Sequence, residues 1–370
     1  AEIRRRNFIR PEQMPYTTTV GNVYDTGEFA AHMDKALGVA EAGSFDARLS
    51  EAKARGRIRG LGFSTYVEIC AFAGSESPKM VLEKDGTVTV HIGTQSNGQG
   101  HKTAYAQFAG EQLGLDYDKI NVVQGDTDYL DSGGGTGGSR SVPIGAPAVA
   151  NGAEKLAGQL KELAADELEA GVGDIELVGG AARVVGTDRS IAYPDLAARA
   201  KDKSKLTAVG EYIAKQQTFP NGTHVCEVEI DPETGQTQVV RYTIVDDFGA
   251  TVNPMLLEGQ VHGGVTQSIG QAIKEHTVYD QDGQLITATL TDYALPRADD
   301  LPFFHFETRN VPCKNNPFGI KGAGEAGTIG ATPSVMNAVV DALYRAYGIR
   351  NIDMPATPRR VWEAIRATQA

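Results

Sequence analysis

The sequence has few of the features that mark several common classes of protein. Its 370 residues include only three cysteines, Cys70, Cys226 and Cys313, which lie far apart and form no CxxC pair. This spacing is not that of a disulfide framework, a zinc ribbon or an iron–sulfur motif, and a reducing cytoplasm is the expected location. The formal net charge of −12 argues against nucleic acid or a membrane surface as a partner, because phosphate groups select clustered Lys and Arg.

Long apolar runs and nucleotide-binding fingerprints are also missing. No run of about 18 consecutive apolar residues occurs, so no membrane span is predicted. No segment fits the P-loop pattern, and "GIKGAGEAG" at 319–327 fits GxGxxG only loosely. A Rossmann site would also need a preceding strand and an acidic residue about twenty positions later, and neither is found. The chain begins "AEIRRRNF" without Met, which suggests a fragment or a processed subunit.

Glycine, by contrast, is abundant, with 43 residues, many of them in three loops before predicted helices. These loops are 93–101, 132–145 and 319–330. Repeated glycine lets backbone amides approach a ligand closely, and the start of a helix favours negative charge. The loops therefore predict a site for a phosphate or another electron-rich ligand, with simple tight connections as the alternative.

The periodicity predicts hairpins alternating with helices. Helices are predicted at 25–43 with Asp25 or Thr26 as N-cap, at 44–54, 146–169 and 256–276, and hairpins at 79–93, 172–187, 223–249 and 278–286. This order favours an α+β fold of two-layer subdomains, with mostly antiparallel or mixed sheets and long helices, over a doubly wound parallel sheet. We expect a connecting segment at 1–55, a first subdomain at 56–220 and a second at 221–370.

One carboxylate, Glu325, lies in the third glycine-rich loop, in the segment "GAGEAG". A carboxylate there can simply favour the helix dipole. It can also act as a general base, because its small neighbours leave it accessible to a substrate.

Four ordered segments carry a resemblance to a known family. They are "GQGHKTAYAQFAGEQLG", "GDTD" followed by "GTGGSRSVPIGAPAV", "DDFGATVNPMLLEGQVHGGVTQSIGQA" and "KGAGEAGTIGATPSVMNAVVDAL". Together they resemble the molybdenum-cofactor-binding subunit of the xanthine dehydrogenase, aldehyde oxidase and carbon monoxide dehydrogenase family. The resemblance covers nearly the whole chain, but only the C-terminal half of that subunit. The N-terminal half, with its own loop near the metal and an active-site arginine, is not in this sequence.

The resemblance implies a molybdopterin cofactor, as the cytosine dinucleotide in bacterial members, and a fold of the molybdenum-cofactor-binding type. The metal is then held by the dithiolene sulfurs of the pterin, so no protein ligand to the metal is expected. The matching cofactor-binding residues are Gly98, Gln99, Gly100, His101, Gly137, Gly138, Ser139, Arg140, Ser141, Gln260 and Gly324. Arg140 can pair with a phosphate or form an ordinary surface ion pair. Gln260 can equally be a structural helix amide, and His101 and His262 are expected to support or pack rather than catalyse.

The family pattern also implies the catalytic role. Glu325 matches the glutamate that takes a proton during a hydroxylation whose oxygen comes from water. Tyr66 and Glu68, on one face of a strand, match positions that face the substrate channel, with burial in the sheet as the alternative. The expected substrates are N-heterocycles, aldehydes, purines or carbon monoxide.

Partners follow from the same resemblance. An iron–sulfur subunit with two-iron, two-sulfur clusters, an FAD subunit and the missing half of the large subunit are expected, in a dimer of heterotrimers. The alternatives are a cofactor-holding or assembly protein without turnover and an ordinary enzyme for a phosphorylated ligand. The lack of a P-loop disfavours the last, and the presence of Glu325 and Gln260 favours the hydroxylase, although the fragment alone is expected to be inactive.

Overall fold

A computed structural model describes residues 1–72 and 74–369 of the chain. The helices are α1 Glu2–Asn7, α2 Phe29–Val39, α3 Phe45–Ala54, α4 His101–Leu113, α5 Ser141–Glu167, α6 Tyr193–Arg199, α7 Pro254–Ile273, α8 Ala326–Tyr347 and α9 Pro358–Ala367. The strands are β1 Tyr16–Thr17, β2 Val23–Tyr24, β3 Ile58–Val67, β4 Gly74–Glu76, β5 Lys79–Leu82, β6 Val88–Ile92, β7 Ile120–Gln124, β8 Ile175–Val178, β9 Ala181–Val184, β10 Ser190–Ala192, β11 Thr207–Val209, β12 Tyr212–Ala214, β13 Asn221–Ile230, β14 Thr237–Asp247 and β15 Phe304–Thr308.

The chain folds into two compact units. Unit 1 comprises residues 1–68, 219–312 and 323–370, and unit 2 comprises residues 69–218 and 313–322. These limits differ from the predicted domains 1–55, 56–220 and 221–370. The reason is β3, which pairs antiparallel with β13 along ten residues, from Ile58 to Val67. Pairing of this length places β3 in the same unit as the second half of the chain.

Unit 1 contains a four-stranded sheet in the order β15–β14–β13–β3. Only the β14–β15 pair is parallel among the pairs of this sheet. Helices α7, α8 and α9 cover one face, where Val228, Ile244 and Val335 are fully or almost fully buried. Successive residues of a strand point to opposite faces, so Val225 and Val245 instead pack against α2 on the other face. The sheet is therefore buried on both sides.

Two glycines of β3 set how closely α8 approaches the sheet. A Cβ added at Gly60 would lie 2.0 Å from the Ala338 carbonyl oxygen, and one added at Gly62 would lie 2.2 Å from the Ala338 nitrogen. Real side chains do not come this close to a backbone, so these positions require glycine. The close crossing fixes the helix whose first turn follows Glu325.

Unit 2 contains a second four-stranded sheet, in the order β11–β5–β6–β7, with only β6 and β7 parallel within it. Helices α4 and α5 pack on this sheet through a core that includes Met80, Val90, Tyr105 and Leu156. A three-stranded sheet, β10–β9–β8, and a two-stranded pair, β12–β4, complete the paired strands described for unit 2.

The predicted fold class is found, since mixed and antiparallel sheets combine with long helices in both units. The hairpin at Asp85-Gly86 is present as β5–β6, that at Gly179-Gly180 as β8–β9, and the long one as β13–β14. These turns were predictable because glycine adopts the positive φ that such connections need, as Gly86 and Gly179 do.

Several predicted boundaries were wrong. Helix α5 begins at Ser141, so the second glycine-rich loop ends before residue 145. Its Pro143 lies in the first turn, where the backbone N–H has no partner within the helix and proline is tolerated. Helix α2 begins at Phe29 after Glu28, rather than after Asp25 or Thr26.

The predicted hairpin at 278–286 is reduced to a single antiparallel bridge between Tyr279 and Leu285. The parallel strand β15 and the helix α9 were not predicted.

Candidate functional site

In unit 2, the first two glycine-rich loops lie against each other. Gly135 donates a backbone hydrogen bond to Gly93, and the N···O distance is 3.1 Å. The Gln95 N–H donates to the Thr136 hydroxyl at 3.0 Å, and that hydroxyl donates to the Gln95 carbonyl at 2.6 Å. A Cβ added at Gly133 would lie 2.6 Å from the Gly93 Cα, so the approach depends on glycine at both positions. The structure thus brings together two loops that the sequence separates.

The first loop ends in a helix start that only glycine fits well. Gly98 has a φ of +109° and Gly100, the N-cap of α4, has a φ of +79°. No atom lies within 4 Å of a Cβ added at Gly98. The Gln99 carboxamide folds back on the loop, where its oxygen accepts from the Asn97 N–H and its nitrogen lies 3.4 Å from the Gln95 carbonyl oxygen. Gln99 therefore shapes the loop as well as bordering it.

His101, the first residue of α4, is buried beneath this loop. Burial disfavours the charged imidazolium and lowers the pKa of His101 to about 4. The Gln124 side-chain nitrogen lies 3.4 Å from His101 Nδ1 and donates to the Thr94 hydroxyl at 2.9 Å. His101 is therefore a neutral, buried residue near pH 7, and its supporting role at the site stays a prediction.

A buried tyrosine links the bases of the two loops. The Tyr105 hydroxyl donates to the Ser141 carbonyl at 2.8 Å and lies 3.0 Å from the Thr94 hydroxyl. The Ser141 hydroxyl in turn lies 2.8 Å from that of Thr136. The first residue of α5 is thus fixed from both sides.

The second loop turns sharply before α5. Gly138 and Ser139 both have positive φ values, +57° and +51°. A Cβ added at Gly138 would lie 2.4 Å from the Phe72 ring. A Cβ added at Gly137 would have no atom within 4 Å. The Gly138 carbonyl accepts from the Ala71 N–H at 2.9 Å, which holds the turn in place.

Arg140 forms an ion pair, one of its two predicted roles, but with a buried partner instead of a surface one. Its Nη1 lies 2.6 Å from Oε1 of Glu76, whose side chain has no exposed surface. The same guanidinium donates to the carbonyls of Gly135 and Ser75. The sequence segment around Glu76 gave no signal for this contact.

The third glycine-rich loop is divided between the units, with Gly322 in unit 2 and Gly324 in unit 1. In unit 2, the Gly322 N–H donates to the Thr218 hydroxyl at 3.2 Å. A Cβ added at Gly322 would lie 2.7 Å from the Ser139 carbonyl oxygen. The start of the third loop therefore lies beside the second.

In unit 1, Gln260 and Glu325 come together. Glu325 is the N-cap of α8 and is exposed, as is Gly324. The Gln260 side chain on α7 donates to the Gly324 carbonyl, with an N···O distance of 2.6 Å. A carboxamide from one helix thus fixes the residue before the carboxylate that begins the next.

Small residues make this arrangement possible, because α7 and α8 touch through glycine. A Cβ added at Gly264 would lie 3.1 Å from the Gly327 Cα. Ser268 donates to the Thr328 carbonyl at 2.9 Å across the same contact. On the same helix α7, His262 packs edge-on against Phe304 and Phe306, which agrees with the expected packing role.

Tyr66 and Glu68 are both buried, as expected if they pack within the protein instead of facing a substrate channel. The Tyr66 ring packs edge-on against His224, with centroids 5.7 Å apart. Tyr66 also borders a cavity of about 180 Å³ in unit 1, together with His32 and Asn221. The channel role of both residues stays a prediction.

The chemistry of the loops suits an anionic group. Across residues 1–72 and 74–369, no group of three or more His, Cys, Asp or Glu side chains could hold a metal ion. What the loops do offer is backbone amides at positive-φ glycines and hydroxyls, the donors of anion sites.

In the same described ranges, no helix has the length and apolar character needed to cross a membrane.

Comparisons with known proteins find several similar chains. The carbon monoxide dehydrogenase large chain of Hydrogenophaga pseudoflava is 34% identical over 387 residues, covering 99% of this chain and 48% of that protein. The nicotine 6-hydroxylase large subunit of Paenarthrobacter nicotinovorans is 35% identical, covering 100% of this chain and 47% of that protein. A structure of quinoline 2-oxidoreductase from Pseudomonas putida 86 superposes with a TM-score of 0.86 at 32% identity, over 99% of this chain and 49% of that one.

The chain therefore spans about half the length of the curated relatives it matches. A family model, the molybdopterin cofactor-binding domain, matches residues 38–302. The predicted resemblance is confirmed: because this match covers well over half of the sequence, the chain belongs to the family of molybdopterin cofactor-binding domains.

Proposed function

We propose that this chain is the C-terminal, molybdopterin-binding portion of the large subunit of a molybdenum hydroxylase. Such an enzyme oxidises a small molecule, an N-heterocycle, an aldehyde or carbon monoxide, with water as the source of oxygen. The observation that carries the proposal is the exposed Glu325 at the start of α8, with Gln260 bound to the residue before it. A positioned, accessible carboxylate beside a cofactor is what proton transfer requires.

The cofactor of the proposal is molybdopterin cytosine dinucleotide. In unit 2, the proposed contacts are the backbone amides of the loops that contain Gly98, Gly100 and Gly137. A side chain at Gly98 or Gly137 would occupy part of the open space beside these amides. In unit 1, Gln260 and Gly324 are the proposed contacts. When bound, the cofactor supplies the redox chemistry and the metal. The residues of this chain then bind the cofactor, leave space beside it where the loops carry glycine, and position one base.

Glu325 is proposed to accept and release one proton at its carboxylate. As the N-cap it lies at the start of α8, and its side chain is exposed. The hydrogen bond from Gln260 holds the preceding peptide, so the carboxylate is attached to a fixed backbone. A positioned base of this kind typically contributes about 10²–10⁴-fold to the rate.

The proposed partners are an iron–sulfur subunit, an FAD subunit and the other half of the large subunit, in a dimer of heterotrimers. The cytoplasmic location expected from cysteine usage belongs to the same proposal. A cofactor-holding protein without turnover is less favoured, because the relatives named above are a dehydrogenase, a hydroxylase and an oxidoreductase.

Analysis of the native complex tests the proposal directly. The complex is purified, its molybdenum is measured per large subunit, and the nucleotide released by acid hydrolysis is identified. The proposal predicts about one molybdenum and one cytidine nucleotide per subunit. A complex that contains neither would contradict the proposed function, and a different nucleotide would contradict the cytosine form of the cofactor.

A further inference from the structure

Glu76 is a buried carboxylate with no role in the proposed chemistry. It ends β4, and its side chain has no exposed surface. β4 is fixed by pairing with β12, where Tyr212 lies opposite Glu76. The Glu76 carboxylate is therefore held by the sheet rather than by a mobile segment.

This carboxylate is bound to the second glycine-rich loop at two points. Its Oε1 accepts from Arg140 Nη1 at 2.6 Å and from the Gly134 N–H at 3.2 Å. The two donors lie on either side of Gly137, where an added Cβ would meet no atom within 4 Å. One oxygen atom thus ties both arms of the turn to β4.

The guanidinium of Arg140 points into its own loop. Nη1 also donates to the Gly135 carbonyl at 2.9 Å, and Nη2 donates to the Ser75 carbonyl at 3.0 Å. A Cβ added at Gly134 would lie 2.3 Å from Nη1, so the guanidinium packs directly on the Gly134 backbone. These contacts use the guanidinium to shape the loop.

Removing one partner of the Glu76–Arg140 ion pair would destabilise this loop. Glu76 is fully buried and Arg140 has only 11% of its side chain exposed, so loss of one partner leaves the other charge buried without compensation. The loop would then change conformation to bring the remaining charge to water. Its glycine amides would no longer present the same surface.

We propose that Glu76 is a positioning residue for the loop 132–141, and that Arg140 acts through Glu76 rather than by pairing with a phosphate of the cofactor. This inference rests on the proposed function. Glu76 lies outside the glycine-rich loops, and its charge sets the cofactor-binding conformation of the loop 132–141.

The test is a double-mutant cycle in the complete enzyme complex. Glu76→Gln, Arg140→Gln and the double variant are purified, and molybdenum per large subunit is measured after gel filtration. Glu176→Gln is the matched control, because Glu176 forms an exposed pair with Arg183 in the same unit. Thermal melting of each variant separates loss of cofactor from loss of fold.

We expect each single variant to lose cofactor by about tenfold or more, as for a lost hydrogen bond to a charged group. The double variant should lose about as much cofactor as the worse single variant, because both changes break one interaction. The control should match the wild type.

The opposite pattern would overturn the inference. If Arg140 paired with a phosphate directly, Arg140→Gln would lose molybdenum while Glu76→Gln kept the wild-type content. If Glu76→Gln failed to fold, the double variant would decide, because it leaves neither charge of the pair buried. Wild-type molybdenum content in the double variant would contradict the positioning role of Glu76. A wild-type complex without molybdenum would refute the proposed function itself.

Discussion

The parts of the two units that carry the predicted site differ in what they offer a ligand. In unit 2, two loops hold each other through Gly93, Gln95 and Thr136, while the charges of Glu76 and Arg140 are turned inward. In unit 1, one carboxylate, Glu325, is exposed at the start of a helix. The first arrangement suits binding by backbone amides, and the second suits proton transfer. Changes in unit 2 should therefore affect cofactor content, and changes in unit 1 should affect turnover.

The largest expected effect comes from Glu325→Gln in the complete enzyme. The amide cannot accept the proton, so the turnover number should fall by about 10²–10⁴-fold while molybdenum content stays at the wild-type level. Steady-state kinetics and metal analysis on the same preparation check both parts. Glu258→Gln, a change at an exposed carboxylate on α7, should leave turnover near normal. Near-normal turnover of Glu325→Gln would remove Glu325 from the mechanism.

Two neighbouring glycines allow a matched comparison in unit 2. Gly138→Ala places a Cβ against the Phe72 ring at a φ of +57°, and strain of this kind costs about 1–3 kcal/mol. Gly137→Ala meets no atom within 4 Å and should change the free energy of unfolding by less than about 0.5 kcal/mol. Denaturant unfolding measures both values. Equal stability of the two variants would mean that the turn at Gly138 is not held as described.

A smaller effect is expected when the link between α7 and the Glu325 loop is removed. Gln260→Ala loses the hydrogen bond to the Gly324 carbonyl, worth about 0.5–1.5 kcal/mol, so turnover should fall by up to about tenfold. Gln271→Ala, at an exposed position on the same helix, is the control. If Gln260→Ala left the turnover per molybdenum unchanged, the hydrogen bond to Gly324 would not position Glu325.

The smallest effect near neutral pH concerns His101. Its pKa is lowered from 6.5 to about 4 by burial, so between these pH values the unfolded chain binds a proton that the folded chain does not. The stabilising contribution of neutral His101 is therefore fully present above about pH 6.5 and is lost as the pH falls towards 4. His101→Asn should flatten the decline in unfolding free energy over this range, with parallel curves for the two proteins above pH 7. An unchanged decline would show that His101 is not buried as a neutral residue.

Much of the local structure could be predicted from the sequence. The hairpins at Asp85-Gly86 and Gly179-Gly180 follow from turn chemistry, and the body of α5 follows from its helical period. The start of α5 could not be placed, because Pro143 and the preceding glycines look like loop residues when their position in the first turn is unknown. The parallel strand β15 depends on a partner, β14, more than fifty residues earlier, which no local pattern encodes.

The candidate site divides in the same way. The residue types at Gly98, Gln99, Gln260 and Glu325 were readable because the glycine-rich loops and their resemblance to a family are properties of the linear sequence. The ion pair of Arg140 with the buried Glu76 could not be predicted, because Glu76 lies 64 positions earlier in the chain. The burial of Tyr66 depended equally on packing that the strand pattern alone left open.

The sequence by itself determined the family, the three glycine-rich loops and the acid within the third loop, because these are patterns of a few neighbouring residues. Only the tertiary structure decided which loops touch, which charges are turned inward and which side chain bonds to the residue before Glu325. These outcomes depend on contacts between distant segments, and the free energy of such a contact belongs to the pair rather than to either segment.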